Sequence, residues 1–408
     1  MKYPPKISVF GSLRTFQTLA VTGLVLILIA LFFRGFSEQK GPEVRVLLSG
    51  DKTELSVLAP EGCDVYDMET SEHIKKNLKI LRPLRVAASA RGIVFGETLI
   101  RSREIRIVPR GGGAIRLDGK EYRGTIQIYL ERGTLSAVNH VRLEYYLKGV
   151  LPREVNQYWP FETLKAQAIA SRSFAVYRLT RSGGEEYDLS ADTYSQVYGG
   201  KSVERWRTDR AVEATRGQVL VYKGRVFPAY FHSCCGGHTE DIEKVWGTRM
   251  DPLEGVKCPW CRWSPHFRWQ TVIPGEKMSE KMSVAARGIS RVDDIKAGKR
   301  DPSGRLESVE VLSGGKWLKF NTSDFRKIAG PSVMKSANFR IKKRRDRFLF
   351  SGSGWGHGVG MCQWGAFAQG LVWRRAESIL RFYYPGTRIG KLRDAGRYDR
   401  GKTFAISE

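Results

Sequence analysis

From Glu43 to about Ala137 the chain is written in short runs in which apolar and polar residues partly alternate: VRVLLSG, ELSVLAP, LRVAASA, GIVFGETLI, EIRIVPR, AIRLDG and GTIQIYLE. The runs are rich in β-branched residues and are separated by Gly, Pro or Asp. They predict strands of a meander or small barrel-like sheet. The pattern then changes. Leu143 to Val150 reads as a short helix ending at Gly149, because Pro152 hinders its continuation. Trp159-Pro160 opens a longer helix through Thr180, with Pro160 at its first position and Glu162 favourably placed on the dipole. Leu164, Ala168, Ser171, Ala175 and Leu179 form one stripe of it, with Ala166 and Ala170 close by, so a neighbour can approach tightly.

Beyond Ser182-Gly183-Gly184 the text is irregular to Gly200, then helical from about Ser202 to Thr215. GQVLVYKGRVFPAYFHS predicts a hairpin turning at Lys223-Gly224. Residues 276 to 297 read as helical, ESVEVLSG and KWLKFN as strands, and FRIKKRRDRFLFSGSG as a hairpin. A final helix, about Ala366 to Phe382, precedes YYPG. The fold class expected is α+β: a β-rich N-terminal part (43–137) followed by a mixed α/β core (138–390). At 408 residues the chain can bury more than one core, so two lobes or one elaborated domain are both open.

One run breaks the pattern. TLAVTGLVLILIALFF, Thr18 to Phe33, carries no charge and follows Lys2, Lys6 and Arg14. With its flanks it is long enough to span a bilayer. Signal-peptidase spacing of small residues is absent after it, which points to an uncleaved anchor (18–36). Basic residues on its N-terminal side leave a cytoplasmic tail (1–17) and export the rest. The expected location is the cell membrane, with the catalytic part extracytoplasmic or periplasmic, and 391–408 is a basic C-terminal tail. The formal net charge of +26 implies attraction to polyanions. Outside the membrane those are wall polymers rather than nucleic acid. The one dense basic cluster, RIKKRRDR (Arg340 to Arg347), reads first as a solvated edge or loop.

Three segments carry candidate chemistry. Glu154, in LPREVNQ beside Val155, Trp159 and Phe161, would serve as a general acid if desolvated, and as a surface partner of Arg153 if not. Gln167 and Arg172 on the long helix sit among small residues and need partners, either loop backbone or substrate. His232, Ser233, Cys234, Cys235 and His238 precede Cys258-Pro-Trp-Cys261. Cys235, Cys258 and Cys261 with His238 or Cys234 would complete a structural zinc tetrahedron, and disulfides are the alternative in an exported protein. In GWGHGVGMCQWGA five glycines surround His357, allowing close approach to a ligand, and Trp355 and Trp364 offer faces for sugar rings. No phosphate-loop pattern is matched, so no nucleotide cofactor is expected. Cys362 as a nucleophile lacks a third group.

GVLPREVNQYWPFETLKAQAIASRSFAVY, DTYSQVYGG, AYFHSCCGGHTEDIEKVWG and GWGHGVGMCQWGA, in that order, resemble the stage II sporulation protein D and amidase-enhancer family. The resemblance extends more weakly over about Glu43 to Ile389. It implies a membrane-anchored exported protein acting on peptidoglycan, in division or sporulation-like wall remodelling. Its best understood members are lytic transglycosylases that cut glycan strands after an amidase has removed stem peptides, and others enhance amidases. By position the family's catalytic glutamate falls on Glu154. The substrate-binding set it implies is Gln167, Arg172, Gln196, Tyr198, His232, Ser233, Trp355, His357 and Gln363. The implied partners are glycan strands and a cell-wall amidase. One departure stands out: some members hold zinc just before the QVY segment, where EYDLSADTYSQVYGG has neither Cys nor His. Any metal here has moved to Cys235, His238, Cys258 and Cys261. Sporulation itself is not implied.

Overall fold

In the computed structural model, residues 41–392 are described apart from 193, 194 and 287, together with 406 and 407. The expected anchor at 18–36, the tail at 1–17 and most of 391–408 lie outside the described residues. Among the described residues no helix is long and apolar enough to cross a membrane.

The N-terminal strands form as their alternation requires. They are β1 (Glu43–Lys52), β2 (Glu54–Asp67), β3 (His73–Ser89), β4 (Gly92–Phe95), β5 (Thr98–Ile100), β6 (Glu104–Pro109), β7 (Ala114–Leu117), β8 (Lys120–Arg123), β9 (Thr125–Glu131) and β10 (Thr134–Arg142). With β11 (Leu189–Ser190) they build an 11-stranded sheet in the order β11-β1-β10-β9-β6-β2-β3-β4-β5, while β7 pairs with β2 and β8. Ile105 and Ile107 of β6 point inward and are fully buried. Strand β2 runs well past the expected stop at Pro60. That proline falls between Ala59 and Cys63, where the register with β3 shifts, so its missing N–H costs no ladder bond.

Helix α1 (Leu143–Glu154) corrects the sequence reading, because it passes through Pro152 instead of ending at Gly149. Only the last turn follows the proline, and the Val155 N–H to Leu151 carbonyl bond closes the helix behind it. Helix α2 (Phe161–Leu179) starts after Pro160, as expected to within a residue. It is buried all round rather than along one stripe. Ala168, Phe174, Ala175, Val176 and Leu179 enter the sheet's core, while Ala166, Ile169 and Ala170 enter a second core that contains the cysteines.

Helix α3 (Trp206–Ala214) is followed by the predicted hairpin Gln218–Tyr222 and Arg225–Val226. Its turn residues Lys223 and Gly224 have φ of 48° and 75°, the left-handed pair such a two-residue turn needs. After α4 (Ile242–Trp246) comes a lobe with its own core of Trp269, Met278, Phe325, Phe339 and Phe350. Its α5 (Gly275–Ala285) gives way to a strand at Asp294–Ala297, where a continuous helix was expected. The expected strands and hairpin are present at Ser308–Ser313, Lys316–Asn321, Phe339–Arg344 and Arg347–Gly352, with α6 (Thr322–Ala329) between.

The final helix is two helices, α7 (Gln363–Leu371) and α8 (Ala376–Tyr383), with Trp373 between them at φ 59°. Gly370 lies so close to α2 that a Cβ would meet Thr163 Oγ1 at 2.2 Å. Only glycine fits at that crossing of α7 and α2. The result is a mixed α and β fold with a large β component and eight α-helices among the described residues. The sheet and the segments after it share one core, in which Ile107 and Ile126 join Tyr146, Leu147, Val150 and Val221. Strand β10 crosses position 138, so the expected boundary between two parts runs through a strand.

Candidate functional site

Glu154 is the last residue of α1, and the following loop is held by local bonds. Asn156 Oδ1 accepts from Tyr158 N–H at 2.9 Å, while Arg207 donates to the carbonyls of Gln157 and Trp159 at 2.9 and 3.3 Å. The Glu154 carboxylate has two partners. Val197 N–H donates to Oε1 at 3.3 Å and the Gln363 amide donates to Oε2 at 3.2 Å. Burial raises its pKa above the ordinary carboxylate value, and these two hydrogen bonds only partly oppose the shift. A carboxyl in this setting can give up a proton and take it back.

An aromatic cluster joins the loop after Glu154 to the helix that begins at its partner Gln363. Trp159 meets Trp364 edge-on at 5.2 Å and Phe367 at 5.0 Å, and Trp364 meets Phe367 at 5.4 Å. All three are partly exposed. The sequence reading picked out the Trp159 and Trp364 rings singly. It missed Phe367 and the Val197 N–H, and no local signal marks either.

Several residues expected to bind substrate have other work. Arg172 is fully buried and grips Glu144 with a fork, Nε to Oε1 at 3.0 Å and Nη2 to Oε2 at 2.7 Å. Its remaining donors go to the carbonyls of Ala168, Val212 and Gln218 and to Thr215, so it is a structural hub. Tyr198 is in the core: its hydroxyl donates to Asn139 at 2.9 Å and its ring packs on Tyr146. Gln196 accepts from Tyr146 at 3.0 Å, so these two side chains fix the irregular segment that presents Val197. Gln167 sits behind Gln363, its Oε1 accepting at 3.5 Å.

His357 also corrects the reading. Its Nε2–H donates to the Phe231 carbonyl at 3.0 Å and its Nδ1 accepts from Val359 N–H at 3.1 Å. Both ring nitrogens are committed, and burial with nearby Arg326 pushes its pKa down to about 4. It is a neutral brace at ordinary pH. His232 is buried beside it, donating through Nδ1 to the Val359 carbonyl at 3.1 Å and leaving Nε2 unpartnered. Ser233 accepts from Trp364 N–H at 3.1 Å through its carbonyl. Trp355 packs on His266 at 4.3 Å, with Lys335 over its ring.

The glycines around His357 serve packing rather than a ligand. Gly356 abuts His232, and a Cβ on Gly360 (φ 72°) would stand 2.0 Å from the Tyr230 carbonyl oxygen. Gly360→Ala should therefore cost at least about 1 kcal/mol in denaturant unfolding of the full chain. Wild-type stability in that variant would refute the contact.

Of the expected metal set, Cys235, Cys258 and Cys261 come together but His238 does not. Its Nδ1 is bonded to the Thr239 carbonyl at 2.6 Å. The fourth member is Cys362, and the four Sγ atoms lie within 4.8 Å of one another.

With this geometry in place, likeness to known proteins is informative. The family model for stage II sporulation protein matches residues 131–222, the segment that carries Glu154 and Val197. A second model, a domain of unknown function, matches residues 261–360. An uncharacterized protein of Brachyspira hyodysenteriae is 35% identical over 274 residues, covering 67% of this chain and 73% of that one. The amidase enhancer of Bacillus subtilis is 31% identical over 337 residues, covering 70% of this chain but only 46% of its own length. Stage II sporulation protein D of Bacillus subtilis is 31% identical over 281 residues, covering 65% of this chain and 79% of its own. Extent and identity together establish that the chain belongs to the stage II sporulation protein D family.

Proposed function

We propose that this protein is a peptidoglycan lytic transglycosylase, held outside the cytoplasm by the apolar segment 18–36, that cuts glycan strands between MurNAc and GlcNAc. Family membership supports a role at the cell wall. The observation that carries the finer reading is the Glu154 carboxyl, desolvated at a helix end and bonded to Gln363, with the Trp159, Trp364 and Phe367 rings clustered from the loop after it and the helix that Gln363 begins.

In the proposed reaction protonated Glu154 gives its proton to the glycosidic oxygen as the C1–O bond of MurNAc breaks. The resulting carboxylate takes the proton of the MurNAc 6-hydroxyl as O6 bonds to C1. The 1,6-anhydro ring closes without water and Glu154 ends as it began. Burial favours the acid form that starts the cycle, while Val197 N–H and the Gln363 amide favour the carboxylate formed midway. One carboxylate serves both steps, so no second acid is required, unlike in hydrolytic glycosidases. The rings supply apolar faces for sugars. The charge of +26 draws the protein to anionic wall polymer.

The second reading, a non-catalytic activator of a wall amidase, has the amidase-enhancer relative in its favour. Mass analysis of products released by the full-length protein separates the two. Ends bearing 1,6-anhydroMurNAc are expected. Reducing-end MurNAc would mean hydrolysis by water. No cleavage of intact or peptide-stripped glycan, with an amidase accelerated equally by wild type and Glu154→Gln, would establish the activator.

The pH profile supplies a further check. Activity needs the acid form, so it declines as pH rises through the elevated pKa of Glu154. Gln363→Met removes a donor that favours the carboxylate, so that pKa rises further. The alkaline limb of kcat/KM should move to higher pH, and a limb that moves to lower pH would exclude this role for Gln363.

A further inference from the structure

We infer that Cys235, Cys258, Cys261 and Cys362 form a tetrathiolate site for one soft divalent cation of the zinc type, which fastens both ends of the 261–360 lobe to the helix carrying Gln363. Cys258 and Cys261 stand at the entrance to that lobe and Cys362 just beyond its exit. Cys362 is also the N-cap of α7, whose first residue is Gln363.

The four thiols converge in a dry pocket, each no more than 1% exposed. Zinc bound by sulfur at about 2.3 Å in a tetrahedron needs sulfurs about 3.8 Å apart. Here Cys235 and Cys261 are 3.4 Å apart and no pair exceeds 4.8 Å. Besides the Ser233 carbonyl 3.8 Å from Cys362 Sγ, the surroundings offer donors that thiolates can use. Two backbone N–H groups, of Cys235 and Gly365, point at Cys362 Sγ, each at 3.3 Å. The Tyr383 hydroxyl lies 3.3 Å from Cys258 Sγ. A neutral thiol is a weak acceptor, whereas a metal-bound thiolate is charged and ordinarily carries such outer-sphere donors.

The buried Arg305 guanidinium, which also faces Glu240 Oε2 at 3.8 Å, donates to the Cys235 carbonyl at 2.9 Å. On binding, the thiols release four protons to solvent, and the divalent cation leaves a site of charge −2 that these N–H and O–H donors can solvate. Gly365 shows how tightly the shell is built: a Cβ there would stand 2.0 Å from Tyr383 Oη and 2.9 Å from Cys258 Sγ. With four protein ligands no position is left for substrate, so the cation is structural. Cys234, whose thiol lies beside Cys261 and Cys362, is outside the set.

The test is metal analysis of full-length protein purified in reducing buffer without chelator, and it does not depend on glycan cleavage. One zinc per chain is expected, with X-ray absorption showing four sulfur neighbours at about 2.3 Å. Cobalt exchange should give the intense absorption of a tetrahedral thiolate site. Cys258→Ser and Cys362→Ser should lose the metal while Cys234→Ser keeps it. Metal-free protein overturns the inference, whether its mass is lower by two hydrogens per disulfide or its thiols are all free to titrate. Retention in Cys362→Ser with loss in Cys234→Ser also overturns it. Should the variants fail to fold, the sulfur count in the wild type decides.

Discussion

Glu154→Gln should lower glycan cleavage by about 100- to 10,000-fold, the usual range for a lost general acid–base, while leaving the fold and sacculus binding intact. The substitution keeps the side chain's length and planar end. An amide oxygen can still accept from Val197 N–H, and a flipped Gln363 amide can present its oxygen to the new NH2 group. What disappears is the proton that must leave and return. Burying a neutral amide in place of a carboxyl whose pKa is already raised costs little, so thermal unfolding should match the wild type. Cleavage by the variant within a few-fold of wild type would remove Glu154 from the chemistry.

Arg172→Ala should destabilise the full chain by about 3–5 kcal/mol, the range found when one partner of a buried ion pair is removed. The guanidinium is fully buried and Glu144 nearly so. Deletion leaves the Glu144 carboxylate uncompensated and strips donors from the Val212 and Gln218 carbonyls. These carbonyls lie at the end of α3 and the start of the strand that follows it. Arg172→Lys should recover only part of the loss, because an ammonium cannot make the two-point fork. Denaturant midpoints of the three proteins decide the matter. A shift below about 1 kcal/mol would mean that the pair is dispensable.

The structure and the sequence reading part company at identifiable places. Alternation announced most of the sheet because an inward-facing isoleucine every second residue is a local fact, visible within one strand. Pro152 misled because a proline in a final turn removes only a bond that is already near the helix end. The C-terminal helix was read as continuous because nothing local marks the break. Gly370 is where α7 meets Thr163 of a helix some 200 residues earlier. Arg172 read as anchor or substrate ligand, and only the position of Glu144 decided.

The sequence by itself determined the strand-rich first part, the two main helices, the order of the four motifs and Glu154 as the residue to watch. The elements rest on spacing and side-chain chemistry, which survive without neighbours, while Glu154 stood out through the family resemblance, its local setting leaving acid and surface partner of Arg153 both open. Tertiary structure alone decided what surrounds Glu154. Val197 lies 43 residues away and Gln363 lies 209. It likewise exchanged His238 for Cys362 in the thiol cluster and turned His357 from a candidate ligand into a brace. Desolvation, a filled hydrogen-bond set and a four-point cluster are properties of what packs around a group. No window along the chain contains them.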